Sequence, residues 1–341
     1  MRWWCGLGKL VIAAVTAGLL LMWALLSNDP ENHASRALLL YLPYPVYLLP
    51  AMAAFVWSFW LGWRWRWLSL CSLGLAAVVL MGLVWGHPDQ GHAPVRLMTY
   101  NVKAYYAVHR PQGLAEVAAE VRLHDPDVLV MQDAGFLLAD GLAPIAARKA
   151  IFGDRTVYGS GQYIVASRLP IKDCQTGSIP FHQESRHSFV HCVLVVNDTE
   201  VDLVTVHLLT PRAGLNATRS AGVKGLGMWK DNVNKRVTQS SVLAEQLRLM
   251  KRPRILAGDL NAPERSSVVQ DLLDTGLRDA FSVAGRGYGY THGHSLWPGI
   301  SLLRIDHVLV SEEIGVRRVF TGGTVASEHR PVIADLLMVR E

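Results

Sequence analysis

The sequence predicts an α/β domain preceded by a helical membrane anchor, and three observations predict it. Charged residues are scarce before about residue 86 and ordinary in number after it, in a chain of 341 residues that is 50% hydrophobic and 18% charged. Past that point short apolar runs alternate with stretches of helical spacing over roughly 250 residues, enough for one large domain with a substantial core. Nearly every apolar run there ends in an acid, an amide or an imidazole.

The anchor comes first. Leu10 to Leu26 and Leu68 to Trp85 are each long enough to cross a bilayer. Between them Leu38 to Leu61 is also apolar, but Pro43, Pro45 and Pro50 should delay or kink its helix, whose well-formed part then begins near Pro50. Trp57, Trp60, Trp63, Trp65 and Trp67 cluster with Arg64 and Arg66 as an interfacial aromatic belt would. Arg2 and Lys9 precede the first span and Arg64 and Arg66 lie between the second and third, whereas the intervening loop has Arg36 with Asp29 and Glu31. Cations in short loops favour the cytoplasmic side, so after about three transmembrane helices the rest of the chain lies outside the cytoplasm. A cleaved signal peptide is the competing reading of the first segment, but no small-x-small site is obvious after Leu26. No charged pair lies inside a span, so nothing suggests transport. Residues 1–86 therefore read as an anchor in the inner or plasma membrane, 87–94 as a polar linker containing His87 and His92, and 95–341 as the soluble domain.

The net charge of +5 suits an anionic partner, whether nucleic acid or phospholipid headgroups, and equally suits plain solubility. Four cysteines are too few for a disulfide scaffold. Cys5 and Cys71 read as small apolar residues. Cys174 and Cys192 flank a turn between two strands and could pair if the domain lies outside the cytoplasm; two buried thiols are slightly favoured over that bridge.

In the soluble part, Val95 to Val102 alternates as a strand and delivers Asn101 at its end. Gly113 to His124 has helical spacing, and after Asp125-Pro126-Asp127 a buried strand, Val128 to Asp133, ends in a polar pair. Tyr163 to Ala166, Phe189 to Val196 and Val201 to Leu208 read as strands, the last with His207 near its end. A loop is expected next, carrying Arg212, Arg219, Lys224, Lys230, Lys235 and Arg236 among Gly222, Gly225 and Gly227 and one tryptophan, Trp229. Val237 to Met250 is an amphipathic helix. It leads into Arg254 to Pro263, where an apolar strand breaks at Gly258 and sends Asp259 and Asn261 to the same face before Pro263 stops it. Ser266 to Thr275 reads as a helix, Leu302 to Val310 as a strand with Asp306 inside it, and Val332 to Val339 as a last strand behind Glu328 and His329. An acid inside an apolar run needs a donor or a cation. Each of these polar ends alone is compatible with turn chemistry. Their recurrence at strand after strand is not, because turns would draw on glycine and serine as well.

Taken together the motifs resemble the endonuclease/exonuclease/phosphatase superfamily, the fold of deoxyribonuclease I, the abasic-site endonucleases, neutral sphingomyelinases and inositol-phosphate 5-phosphatases. The matching residues are Thr99-Tyr100-Asn101-Val102, Pro126-Asp127-Val128 with Gln132-Asp133, Val206-His207-Leu208, Gly258-Asp259-Leu260-Asn261, Arg304-Ile305-Asp306-His307 and Ser327-Glu328-His329-Arg330-Pro331-Val332, in the family's order. The resemblance implies a four-layer sandwich of two mainly antiparallel sheets flanked by helices, with the site at the strand ends. It also implies a catalytic domain that hydrolyses phosphoesters with a divalent cation, Mg²⁺ or Mn²⁺. By that likeness Asp133 would be the main metal ligand, with Asn101 and Glu328 close by. Asp259 would orient or deprotonate the attacking water, and Asn261 and His207 would hold phosphate oxygens. Asp306 would fix His329, whose imidazole contacts the phosphate as charge develops.

Two positions depart from the family. It usually has Glu after Gln in the second motif, where this chain has Asp133, and Asp before the last His, where this chain has Glu328. A reciprocal exchange follows as an expectation: Glu328 extends by the methylene that Asp133 lacks, and the ion shifts between them. The leading functional expectation is a membrane-anchored phosphodiesterase or phosphatase acting outside the cytoplasm on a phosphoester such as a lipid headgroup, with Trp229 and Arg236 as substrate contacts. An anchored endo- or exonuclease, its basic residues following a nucleic-acid backbone, and a non-catalytic relative that binds phospho-ligands are the alternatives. No protein partner is implied.

Overall fold

A computed structural model describes residues 2–91, 94–182, 185–293 and 299–337. The chain divides into two compact units, Met1–Val84 and Trp85–Glu341.

In the first unit α1 (Arg2–Leu26) contains, among the described residues, the one helix long and apolar enough to span a bilayer, Trp3–Leu26. A short helix α2 (Ala34–Leu39) follows. Pro43 and Pro45 sit in and before a 3-10 turn, Tyr44–Tyr47, that leads into α3 (Leu48–Ser58). The helix thus starts where the prolines allow it, with Pro50 in a first turn whose N–H groups lack helical partners in any case. The helix α4 (Trp63–Gly74) runs on into a π-helical stretch, Leu75–Leu80. Ile12, Ala54 and Leu61 form the small core between these helices, and Thr16 Oγ1 meets Ser72 Oγ at 2.8 Å across it. Trp3, Trp60 and Trp63 stay exposed.

The second unit is a stack of two six-stranded sheets. Its strands are β1 (Val95–Asn101), β2 (Val128–Gln132), β3 (Thr156–Ser160), β4 (Tyr163–Ser167), β5 (Ile171–His182), β6 (Ser185–Val196), β7 (Thr199–His207), β8 (Arg254–Asp259), β9 (Leu277–Asp279), β10 (Asp306–Ser311), β11 (Gly315–Thr321) and β12 (Val332–Leu337). One sheet has the order β11-β12-β1-β2-β4-β3 and the other β9-β10-β8-β7-β6-β5. Each is antiparallel except for one parallel pair at its centre, β1 with β2 and β7 with β8. The sheets are therefore mixed but mainly antiparallel.

Period-two alternation sorts the side chains into layers. Met98, Tyr100, Leu129 and Met131 turn outward into a core with α5 (Ala104–His109), α6 (Gly113–His124) and α7 (Ile145–Phe152). Val204, Val206, Leu256 and Leu309 do the same against α9 (Leu226–Leu249) and α10 (Ser267–Leu273). The intervening residues face the other sheet. Gln132 shows it directly, donating to Thr99 Oγ1 at 3.1 Å within its sheet and to Thr205 Oγ1 at 2.9 Å across the gap.

Several expectations need correction. The segment after His207 is helical: α8 (Arg212–Ala221), a 3-10 turn Gly222–Gly225, then α9. Its glycines serve packing and capping. Gly222, at φ 54°, closes α8, and a Cβ on Gly214 would lie 2.8 Å from the Trp229 ring. The strand expected over Leu302 to Val310 starts only at Asp306, because Leu303 bridges His292 instead. Cys174 and Cys192, opposite one another on β5 and β6, form a disulfide rather than two buried thiols. Val332 begins the last strand, which runs to Leu337; Met338 and Val339 lie outside the described residues, as do His92 and Ala93 of the linker. Linker residue Asp89 is tied down, accepting from Val316 N at 3.0 Å and Arg278 Nη2 at 3.1 Å.

Candidate active site

Topology explains why distant residues meet. Strands of a parallel pair finish at the same rim, so Asn101 lies beside Gln132 and His207 beside Asp259. A strand antiparallel to them contributes its beginning. Asp306, the first residue of β10, pairs with Asp259. Val332, the first of β12, pairs with Thr99, which brings Ser327 to His329 alongside the end of β1, where Ser327 Oγ donates to the Asn101 carbonyl at 2.7 Å. One rim between the sheets thus collects the polar ends.

Asp259 is at its centre and only 1% exposed. Its Oδ2 accepts from Asn101 Nδ2 at 2.9 Å, with His207 Nε2 at 3.4 Å and His329 Nε2 at 3.7 Å. Its Oδ1 accepts from the Asn261 backbone N–H at 2.9 Å. Asn261, in the left-handed region at φ 49°, donates Nδ2 to the Leu208 carbonyl at 2.9 Å and so ties the end of β7 to the end of β8.

Behind Asp259, His329 Nδ1 lies 2.9 and 3.2 Å from the two Asp306 oxygens. Burial pushes the Asp306 carboxyl up to about 6 and the His329 imidazole down to about 4. At neutral pH this favours an ionised Asp306 accepting from a neutral imidazole, whose Nε2 faces the site. Thr291 Oγ1 accepts from Ile305 N and Asp306 N at 3.1 and 3.2 Å and holds the start of β10.

Asp133 lies farther out. Its carboxylate meets Lys103 Nζ at 2.9 Å and His207 Nδ1 at 3.6 Å. Burial opposes its charge, yet His207 and Lys103 outweigh burial and hold the carboxyl below the usual range. His207 Nδ1 is also 2.7 Å from Gln162 Oε1. Glu328 Oε2 is closed off from solvent without a hydrogen-bond partner, and Arg212 Nη2 is 3.5 Å away.

That Glu328 oxygen tests the metal expectation. The oxygen has the Arg212 guanidinium as a counter-ion but no hydrogen bond, which leaves it able to ligate a hard divalent cation. Asp133, Glu328 and Asn101 offer the all-oxygen donor set such an ion prefers. Asp259, Asp306 and His329 also form a compact group, their ligand atoms within 4.8 Å of one another. Asp306 and His329 already satisfy each other, however, and Asp259 is held by Asn101, so this trio suits a hydrogen-bond relay better than a cation.

Two expected contacts are corrected. Trp229 is fully buried, with the Arg236 guanidinium 5.5 Å over its ring, and offers no surface to substrate. Arg236, buried as well, donates Nη1 to the Asn261 carbonyl at 3.0 Å; it supports the site from behind. Sequence reasoning missed Lys103 and Gln162, and also His292, whose ring lies 4.4 Å from that of His329; Arg212 it named only as one cation of the expected loop. Only Lys103 had a signal, standing two residues past Asn101. A cavity of about 620 Å³, lined in part by His191, Asp202 and Arg252, lies elsewhere; Asp202 there is engaged by both of the others.

The family model described as Endonuclease/Exonuclease/phosphatase family matches residues 98–329. No curated protein matches the chain. Among solved structures, an endonuclease/exonuclease/phosphatase from Bacteroides vulgatus aligns at TM-score 0.54 and 15% identity, over 72% of this chain and 99% of that one. The mannosyl-6-phosphatase of Bacteroides thetaiotaomicron VPI-5482 aligns at 0.53 and 16%, over 71% and 99%. Truncated Caenorhabditis elegans TDP2 aligns at 0.51 and 18%, over 71% and 97%. At these identities the likeness shows the fold, and the match over residues 98–329 shows more: the chain belongs to the endonuclease/exonuclease/phosphatase family, a superfamily of generally hydrolytic phosphoesterases and nucleases whose members typically depend on a divalent metal.

Proposed function

We propose that this chain is a membrane-anchored, divalent-metal-dependent phosphoester hydrolase whose catalytic domain, from about residue 95, works outside the cytoplasm. The observation that carries the reading is the continuous chain Asp306–His329–Asp259–Asn101 at one rim, with Asp133 joined to it through His207.

Asp133 and Glu328, with Asn101, would hold Mg²⁺ or Mn²⁺, which when bound supplies charge neutralisation at the phosphoryl group. Asp259, its rotamer fixed by Asn101 and the Asn261 N–H, orients the attacking water and takes its proton. We assign His207 and Asn261 to the phosphate oxygens. His329 faces the phosphate through Nε2; Asp306 holds its Nδ1 proton and so stabilises the imidazolium that forms when Nε2 takes over the proton Asp259 has removed from water. Burial keeps both partners in place and excludes water from behind the site.

The Cys174–Cys192 disulfide supports an oxidising compartment, in agreement with the cation distribution around the N-terminal helices. The lipid-headgroup expectation rests on tethering alone, because Trp229, the ring expected to meet the interface, is buried.

The test is hydrolysis by the full-length protein in detergent, with Mg²⁺ or with EDTA, across lipid, nucleotide and DNA phosphoesters. Turnover that requires the ion and is lost in His329→Ala supports the reading. A protein that binds phosphoesters but turns over none of them would be the non-catalytic relative instead.

A further inference from the structure

A cavity of about 530 Å³ has Lys103, Asp133 and Arg212 in its lining together with Tyr105, Tyr106 and Phe136. That volume is within the range of small-ligand sites. The rings and two of the charges ride on the same two strand-end turns: Tyr105 and Tyr106 follow Lys103 on α5, and Phe136 follows Asp133 in the 3-10 turn Gly135–Leu137. Tyr105 organises the group. Its centroid is 5.5 Å from those of Tyr106 and Phe136, edge to face with each, and 4.6 Å from His109. The rings hold one another yet remain open, Tyr105 and Tyr106 at 53% exposure and Phe136 at 41%.

Three half-exposed aromatic rings beside cations and a carboxylate are costly to leave wet. We infer that Tyr105, Tyr106 and Phe136 form a stacking wall for a flat unsaturated ring, a nucleobase or an aryl group, that the substrate carries close to its phosphate. The inference rests on the phosphoester-hydrolase reading above and names the substrate class for the same site. Charge complementarity sets the orientation: phosphate toward Lys103 and Arg212, ring against the aromatic faces. The rest of the lining argues against an acyl chain. It consists of two glycines, an alanine and a glutamine, with no leucine, isoleucine, valine or methionine. A flat ring needs stacking faces and an amide at its edge, and Gln162 supplies the amide.

The experiment compares kcat/KM of the full-length protein with Mg²⁺ on thymidylyl-thymidine, p-nitrophenyl phosphorylcholine, glycerophosphocholine and phosphatidylcholine vesicles. Tyr105→Leu and Phe136→Leu should each lower the ratio of ring-bearing to ring-free substrate about five- to 150-fold, the scale of base–aromatic stacking, and Tyr105→Phe should keep it. The better of the two ring-bearing substrates distinguishes nucleobase from aryl group. A ratio unmoved in both leucine variants, or vesicles hydrolysed in preference to both ring-bearing substrates, would overturn the inference. Absence of any turnover would refute the hydrolase reading rather than the wall. Calorimetric binding then decides the wall: tighter binding of thymidine 5′-monophosphate than ribose 5-phosphate, erased in Phe136→Leu, upholds it, and equal affinities overturn it.

Discussion

Replacing Asp306 by asparagine should separate stability from activity. The residue is 2% exposed, and burial raises its carboxyl from an ordinary 3.8 to about 6. A carboxyl that titrates higher in the folded than in the unfolded chain stabilises the fold fully below pH 3.8 and loses that contribution as pH rises through 6. The loss is on the order of 3 kcal/mol. Asparagine has nearly the same shape, keeps an oxygen for His329 Nδ1–H and never ionises. Above pH 7 the variant should therefore be more stable than the wild type by about 1–3 kcal/mol, or about 2–10 °C in thermal midpoint for a domain of this size. The gain should vanish near pH 4. Activity should move the other way, because the carboxylate no longer stabilises the imidazolium; a lost charged hydrogen-bond partner costs about 1.5–3 kcal/mol, or roughly 10- to 150-fold in kcat. Thermal unfolding followed by circular dichroism in EDTA at pH 4, 6 and 8 reads the first effect, and hydrolysis with Mg²⁺ the second. A variant less stable than wild type at pH 8, or a stability gap that does not change between pH 8 and 4, would refute the burial argument.

Other perturbations test other parts. The double exchange Asp133→Glu with Glu328→Asp should retain more activity than either single change; simply additive losses in that cycle would show that the two side chains do not share an ion. Reduction should expose two further thiols to alkylation, and Cys174→Ser with Cys192→Ser should cost about 3 kcal/mol for a loop of this length; four alkylatable thiols without reductant would contradict the bridge. Trp229→Ala should lower stability by about 3–5 kcal/mol and leave KM within about twofold when corrected for folded fraction; a large KM effect in stably folded protein would return the ring to the substrate.

Much of the site was legible because strand alternation is simple physics. Asp259 and Asn261 sit two apart after an apolar run, and His207, Asn101 and Asp133 end theirs in the same way, so each could be placed at a strand end from its neighbours. What brings them to one rim is the parallel pairing of β1 with β2 and β7 with β8, which periodicity could not show; the family likeness implied only that the site lies at the strand ends. The stretch after His207 was misread because glycine carries two meanings. In Gly225, one of the three glycines behind the loop reading, the missing side chain admits the Ala217 carbonyl, where a Cβ would clash, a packing role that looks like loop composition in one dimension. The edge strand Thr156–Ser160 was missed because most of its residues face solvent and leave no apolar run. Lys103, in the left-handed region at φ 47°, needs the third dimension to meet Asp133.

The central claim is that one divalent ion is held by Asp133 and Glu328, beside an Asp306–His329 pair that does not ligate it. Mn²⁺ binding to the full-length protein, followed by electron paramagnetic resonance, tests it most directly. The account predicts a single site that is lost in Asp133→Asn and in Glu328→Gln and retained in Asp306→Asn. Loss of Mn²⁺ in Asp306→Asn, with binding intact in Asp133→Asn and Glu328→Gln, would contradict it.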